Sequence, residues 1–139
     1  MQGIIMDTNV LFAALYSGRG ASRQILKHLI DGRLRIVLST PLLFEYEDVL
    51  QRNRELLGLS NPDIDVILDN LCDLGTHHKV YFLWRPCLPD AKDDLLLELA
   101  VASRVPTIVT HNIRDFKGSE RFGVRAITPQ HCLEELRHV

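Results

Sequence analysis

Residues 4–12 read IIMDTNVLF: a carboxylate, Asp7, with the small polar neighbours Thr8 and Asn9, set between two apolar runs. An ionised carboxylate buried without a partner is strongly disfavoured, so this one needs compensation from backbone donors or from a metal ion. Further acids stand at Glu45 in TPLLFEYEDVL, at Asp90, Asp93 and Asp94 in PDAKDDLLLELAVAS, and at Asp115 in IVTHNIRDF. Gathered in one place, such groups would repel one another unless a cation neutralised them. An all-oxygen set favours Mg²⁺ or Mn²⁺ over zinc, and a carboxylate-held divalent ion is a common means of hydrolysing phosphodiesters.

Whether the acids meet depends on the elements that carry them. GIIM (3–6), RIVL (35–38), KVYFL (79–83), PTIV (106–109) and VRAI (124–127) read as buried-type strands, and helical patterns alternate with them. NVLFAALY is a helix turning onto the sheet. ASRQILKHLIDG is an amphipathic helix with Ile25, Leu26, Leu29 and Ile30 inward and Gly32 as its stop. Thr40 followed by Pro41 opens a third helix with Leu42, Leu43, Tyr46, Val49 and Leu50 on one stripe. The chain loosens over 56–61, PDIDVILDNLCDLG is a helix ended by Gly75, DDLLLELAVASR is another, and Thr128 with Pro129 opens the last. Such alternation implies an α/β fold with a mainly parallel sheet covered on both faces. Right-handed crossovers then bring every helix N-terminus to the carboxyl edge of the sheet, where open α/β sheets place their sites. Asp7, Glu45, the Asp90–Asp94 group and Asp115 all fall at that edge.

Each acid also has a plainer reading. Asp7 could cap the helix beginning at Asn9. Asp90 reads first as a helix cap, and Asp93 and Asp94 suit the positive end of a helix dipole. Glu45 alone would be a surface glutamate, although its helical phase puts it at the border of the apolar stripe, while Glu47 and Asp48 point further out. The joint convergence of the acids is what favours a metal site.

MDTNV, the glutamate of TPLLFEYEDVL, PDAKDDLLLELAVAS and IVTHNIRDF occur in the order and approximate spacing of the PIN-domain family, which the chain resembles over essentially its whole length. It is most similar to the compact ribonucleases that act as toxins of toxin-antitoxin pairs, the VapC-like group. The resemblance implies a three-layer α/β/α sandwich around a central, mainly parallel sheet of about five strands, forming a single PIN domain over 1–139. It also implies a ribonuclease dependent on Mg²⁺ or Mn²⁺ whose products carry a 5′-phosphate and a 3′-hydroxyl. Asp7, Glu45 and Asp94 match the family's first three acids. Asp94 is preferred to Asp93 because it stands sixteen positions before Thr110. Thr8 and Thr110 match residues that hold the carboxylates or the metal's water in place. The sequence departs from the family at the fourth acid, where Asn112 stands two residues after Thr110, and Asp115 is the candidate to supply the missing charge. Asn9, Asp90 and Asp93 are supporting candidates. The partners implied are an RNA substrate, a cognate antitoxin and a second copy of the chain.

Composition bounds the rest. The chain has 139 residues, 46% hydrophobic and 24% charged, enough for one domain with a real core. A net charge of −2 gives no overall pull toward nucleic acid or membrane. Arg19 and Arg23, with Lys27, and Arg114 and Lys117, with Arg121 and Arg125, are candidate RNA contacts whose plainer reading is a solvated surface. Cys72, Cys87 and Cys132 form neither a CxxC pair nor an even framework, and Cys72, His77, His78 and Cys87 fit no familiar zinc spacing. No leader and no apolar run long enough to span a bilayer is present, so a cytoplasmic, unprocessed protein is expected. Two rivals remain. A haloacid-dehalogenase-type phosphatase would need an acid where Asn9 stands. A catalytically silent PIN fold that binds RNA or a partner would bind metal without cleavage.

Overall fold

The computed structural model describes residues 2–80, 88 and 90–138. In chain order the elements are β1 (Gln2–Met6), α1 (Thr8–Tyr16), α2 (Ala21–Ile30), β2 (Leu34–Leu38), α3 (Thr40–Arg52), α4 (Arg54–Leu57), α5 (Asn61–Leu74), β3 (Thr76–His77), α6 (Ala91–Ser103), β4 (Thr107–Val109), β5 (Arg125–Ile127) and α7 (Pro129–Arg137). The five strands form one sheet in the order β3-β2-β1-β4-β5, and every pairing is parallel. Ile4 pairs with Ile36 on one side of β1 and Ile5 with Ile108 on the other. These residues, with Met6, Val37, Leu38 and Val109, are buried, as expected for a parallel sheet covered on both faces. The helices flank it as an α/β/α sandwich, the fold class read from the sequence. No helix among the described residues is long and apolar enough to cross a membrane.

Several local expectations are corrected. The cap of α3 is Ser39, in extended backbone, whose Oγ accepts the Leu42 N–H at 3.3 Å; Thr40 and Pro41 already lie inside the helix. Residues 56–61 do not simply loosen: Gly58, at φ +68°, ends α4 in the left-handed conformation that costs glycine nothing. Ser60 and Asp63 then open α5 as a reciprocal capping box. The third strand among the described residues is Thr76–His77; of the strand expected over 79–83, Lys79 and Val80 follow it outside the sheet, and residues 81–83 lie outside the described residues. A two-residue polar edge strand leaves no periodicity to read. Ile30, expected inward, is 61% exposed at the end of α2, whereas its neighbour Leu29 is buried in the core.

Gly75 explains how α5 passes directly into β3. A β-carbon there would lie 2.7 Å from the Ile36 carbonyl oxygen, 2.8 Å from Ile36 Cγ2 and 2.9 Å from Leu38 Cδ1. Helix end and edge strand therefore approach β2 more closely than any side chain permits. Gly75→Ala is expected to destabilise the fold by ~1–3 kcal/mol through overpacking, read as a lowered urea midpoint with an unchanged slope.

Candidate functional site

The strand order reverses at β1, which has β2 on one side and β4 on the other. In open parallel sheets the crevice beyond the carboxyl ends of the two strands at such a switch point is where ligands bind. Here the crevice lies past β1 and β4, and Asp7 is the first residue beyond β1. Its backbone N–H continues the sheet by donating to the Val109 carbonyl at 2.9 Å. Its carboxylate is buried and well supplied with donors: Thr8 N–H reaches Oδ1 at 2.7 Å, and Thr110 Oγ1 donates to Oδ2 at 2.8 Å. Asn9 Nδ2 lies 3.4 Å from the same Oδ2 and 3.4 Å from Thr110 Oγ1. Asp7 is thus the cap of α1 and also the centre of a polar network spanning β1 and β4. Burial pushes its pKa up, the Thr110 and Thr8 hydrogen bonds oppose that, and the Asp115 charge adds to it.

A cleft of about 240 Å³ opens over this network, lined by Asp7, Thr8, Asn9, Leu42, Glu45, Asp90, Lys92, Asp93, Leu95, Asn112 and Asp115. Four separate parts of the chain contribute carboxylates to it. Glu45 arrives on α3, whose position is set by its neighbour Tyr46: the buried phenol donates to the Met6 carbonyl at the end of β1. Burial, and then the Asp7 charge, hold the Tyr46 pKa well above the usual phenol value. Asp90 caps α6 by accepting the Lys92 N–H at 2.9 Å, the role read for it from sequence, and its residue also lines the cleft. Asn112 and Asp115 come from the loop after β4, where Asn112 N–H donates to Thr110 Oγ1 at 3.1 Å and a 3₁₀ turn spans Ile113–Phe116.

At the α6 position the geometry departs from the spacing argument. Asp93 lines the cleft, whereas Asp94 is 1% exposed and accepts the backbone N–H of Leu88 at 2.9 Å. Consecutive helical residues differ by about 100° in direction, so only one of the pair can face the crevice. Burial first, then the charges of Asp7, Asp115, Asp90 and Asp94, push the Asp93 carboxyl up to about 7.

The donor set suits a hard divalent cation in kind: carboxylates and an amide, all oxygen ligands, in a polar crevice that is electrostatically unfavourable on its own. No group of three or more His, Cys, Asp or Glu side chains among the described residues is already closed around one point. The basic candidates stand apart. Arg19, Arg114 and Lys117 are exposed, Arg23 donates to the Ala14 carbonyl at 3.1 Å, and none of the four lines the cleft. Arg125 is engaged by Glu135 across two hydrogen bonds. Of the zinc candidates, Cys87 lies outside the described residues.

Two contributors had no signal in the sequence. His111 donates its backbone N–H to Asn9 Oδ1 at 3.2 Å, and its Nε2 lies 2.8 Å from Oγ of the buried Ser22 on α2. Together they tie the loop bearing Asn112 and Asp115 to α1 and α2. A partner 89 residues away leaves no local pattern. A second, larger groove of about 370 Å³ lies away from the acids, lined by Leu11, Leu15, Leu26, Ile30, Ile67 and Leu71 with Asn70, Asp73 and Leu74. It is mostly apolar, and Asp73 is the one carboxylate lining it among the described residues.

The family model described as PIN domain matches residues 3–114. Among solved structures, the crystal structure of VapBC2 from Rickettsia felis bound to a DNA fragment from their promoter is similar in fold. Its TM-score is 0.62 at 16% identity, covering 91% of this chain and 98% of that one. No curated protein matches the chain in sequence.

Proposed function

The chain belongs to the PIN-domain family, and from that premise we propose that its acidic cleft is the site of a ribonuclease dependent on Mg²⁺ or Mn²⁺. The carrying observation is the convergence of Asp7, Glu45, Asp93 and Asp115 on one crevice at the switch point, with the Asp93 carboxyl pushed up to about 7. A divalent cation would lower the repulsion among carboxylates brought this close. Asp7, Glu45 and Asp93 would hold the ion, with Asp115 and Asn112 completing the set. When bound, the ion supplies Lewis-acid activation of water and neutralises charge at phosphorus.

The chain's own residues then have separable tasks. Thr8 and Thr110 hold the Asp7 carboxylate in one orientation, so that no reorganisation is needed as charge develops. Asp93, whose carboxyl is pushed up to about 7 by burial and the acids around it, would serve as a ligand in its deprotonated form, which a bound cation would favour. Asn112 orients by hydrogen bonding, and Asp115 adds the charge that Asn112 lacks. Water is the nucleophile; it displaces the 3′-oxygen and leaves a 5′-phosphate on the other product.

We assign the toxin role of a toxin-antitoxin pair on two grounds. The fold neighbour from Rickettsia felis is a VapBC2 complex, and this chain carries an apolar groove edged by the exposed Ile30, a surface suited to a partner's apolar side chains. The antitoxin is the proposed occupant of that groove, and the cytoplasm the proposed compartment.

Metal binding is tested by melting. Millimolar Mn²⁺ should raise the melting temperature relative to EDTA, since a ligand at a hundredfold excess over its dissociation constant stabilises by ~2.7 kcal/mol. An unchanged melting temperature would remove the metal from the account. The fourth position is tested by rates: Asp115→Asn is expected to lower RNA cleavage strongly and Asn112→Ala less, with excess Mn²⁺ partly rescuing Asp115→Asn. The reverse ranking would assign Asp115 to the turn alone and give Asn112 the larger role.

A further inference from the structure

This inference rests on the nuclease reading and concerns a side chain that reading does not use. Among the described residues, Lys92 is the one cationic side chain lining the acidic cleft. Its position is locally unfavourable, because it stands in the first turn of α6, where the helix dipole disfavours positive charge. A residue that breaks a local rule beside a reactive site invites a functional explanation. Its backbone is fixed by the Asp90 cap at 2.9 Å, whereas its ammonium is held loosely: Nζ is 3.8 Å from Glu45 Oε2, and the Lys92 side chain is 61% exposed. Exposed pairs of that length contribute little, so the ammonium is free to change partners. Chemistry supplies the new partner. An RNA phosphodiester entering this crevice brings another negative charge to a place with several carboxylates already, and one divalent ion offsets only two of them.

We propose that Lys92 is a catalytic residue that contacts the RNA phosphate: its ammonium rests on Glu45 in the metal-free protein, leaves when the cation takes that carboxylate, and then pairs with a non-bridging phosphate oxygen. The same cation thereby guards the metal position and receives the substrate. The two roles carry opposite signs when Lys92 is removed. Losing a competitor for Glu45 tightens metal binding, and losing a charge-assisted contact to phosphate weakens turnover.

The experiment compares the wild-type protein, Lys92→Ala and Lys92→Arg in two readouts, Mn²⁺ affinity by calorimetry and RNA cleavage at saturating Mn²⁺. Lys92→Ala is expected to bind Mn²⁺ about threefold tighter and to cleave about tenfold more slowly, the scale of one charged contact. Lys92→Arg should retain most activity. Cleavage by Lys92→Ala at or above the wild-type rate would overturn the proposal, leaving Lys92 as a competitor for the metal only. Unchanged Mn²⁺ affinity would overturn it also, leaving a solvated lysine. The nuclease reading fails by a different result, Mn²⁺ binding by the wild-type protein with no cleavage of any RNA. In that event the affinity for a labelled single-stranded RNA in Ca²⁺ still reads Lys92, and an undiminished affinity in Lys92→Ala overturns its assignment.

Discussion

Asp93→Asn is expected to stabilise the metal-free protein above neutral pH while removing its activity. The Asp93 carboxyl sits at about 7, against an ordinary 3.8, chiefly through burial and then through the acids around it. A carboxyl whose pKa is higher in the folded than in the unfolded chain contributes stability that is fully present below the unfolded value. That contribution is lost as pH rises through the folded value. Wild-type stability in EDTA should therefore fall between pH ~4 and pH ~7 for this group's part, and asparagine, which does not titrate, should remove that part of the fall. Each unit of pKa shift corresponds to ~1.4 kcal/mol, and water in the open cleft screens the repulsion. A gain of about 1–2 kcal/mol above pH ~7.5, a few degrees of melting temperature, is the expected size. With Mn²⁺ the order reverses, because the wild type gains a ligand and the variant has lost one. Asp94→Asn is the control: its amide oxygen can still accept the Leu88 N–H, and Mn²⁺ binding should survive. Identical pH profiles for wild type and Asp93→Asn, with Mn²⁺ binding lost only in Asp94→Asn, would restore the spacing argument over the geometric one.

Asp7→Asn is the second large effect, and it separates two roles that coincide on one side chain. Asparagine caps a helix as well as aspartate does, and Oδ1 can still accept the Thr8 N–H seen at 2.7 Å. Thr110 Oγ1 already accepts from Asn9 Nδ2 and from the Asn112 N–H, so the new amide loses the hydroxyl's hydrogen bond, a loss offset by removal of a buried charge. The fold should thus lose little, under ~1 kcal/mol by the cap scale. The charge at the centre of the site is gone, and a loss of turnover of three or more powers of ten is the expected scale for a metal-assisted reaction, ~4 kcal/mol or more in the barrier.

Much of this was legible in the sequence because parallel α/β topology converts order along the chain into position at one edge. Asp7, Glu45 and Asp115 could be placed by strand and helix boundaries alone. The choice between Asp93 and Asp94 could not. Two adjacent acids in a first helical turn differ only in direction, and the direction is set by how α6 seats on the sheet and by the Leu88 N–H that Asp94 accepts. The Ser22–His111 pair and the phenol of Tyr46 were illegible for a related reason: each is a contact over tens of residues, and Tyr46 reads in sequence as one more apolar stripe position. The edge strand β3 was missed because two polar residues pair only with backbone, whereas the apolar run after it carries the stronger pattern.

The most direct test of the acidic cleft as a metal-dependent ribonuclease site is cleavage of a defined single-stranded RNA by purified wild-type and Asp7→Asn protein, in Mn²⁺ and in EDTA, with product ends determined. Cleavage is expected from the wild type in Mn²⁺ alone, with 5′-phosphate and 3′-hydroxyl ends, and none from a folded Asp7→Asn protein. Equal cleavage by both proteins, or cleavage that persists in EDTA, would contradict this expectation.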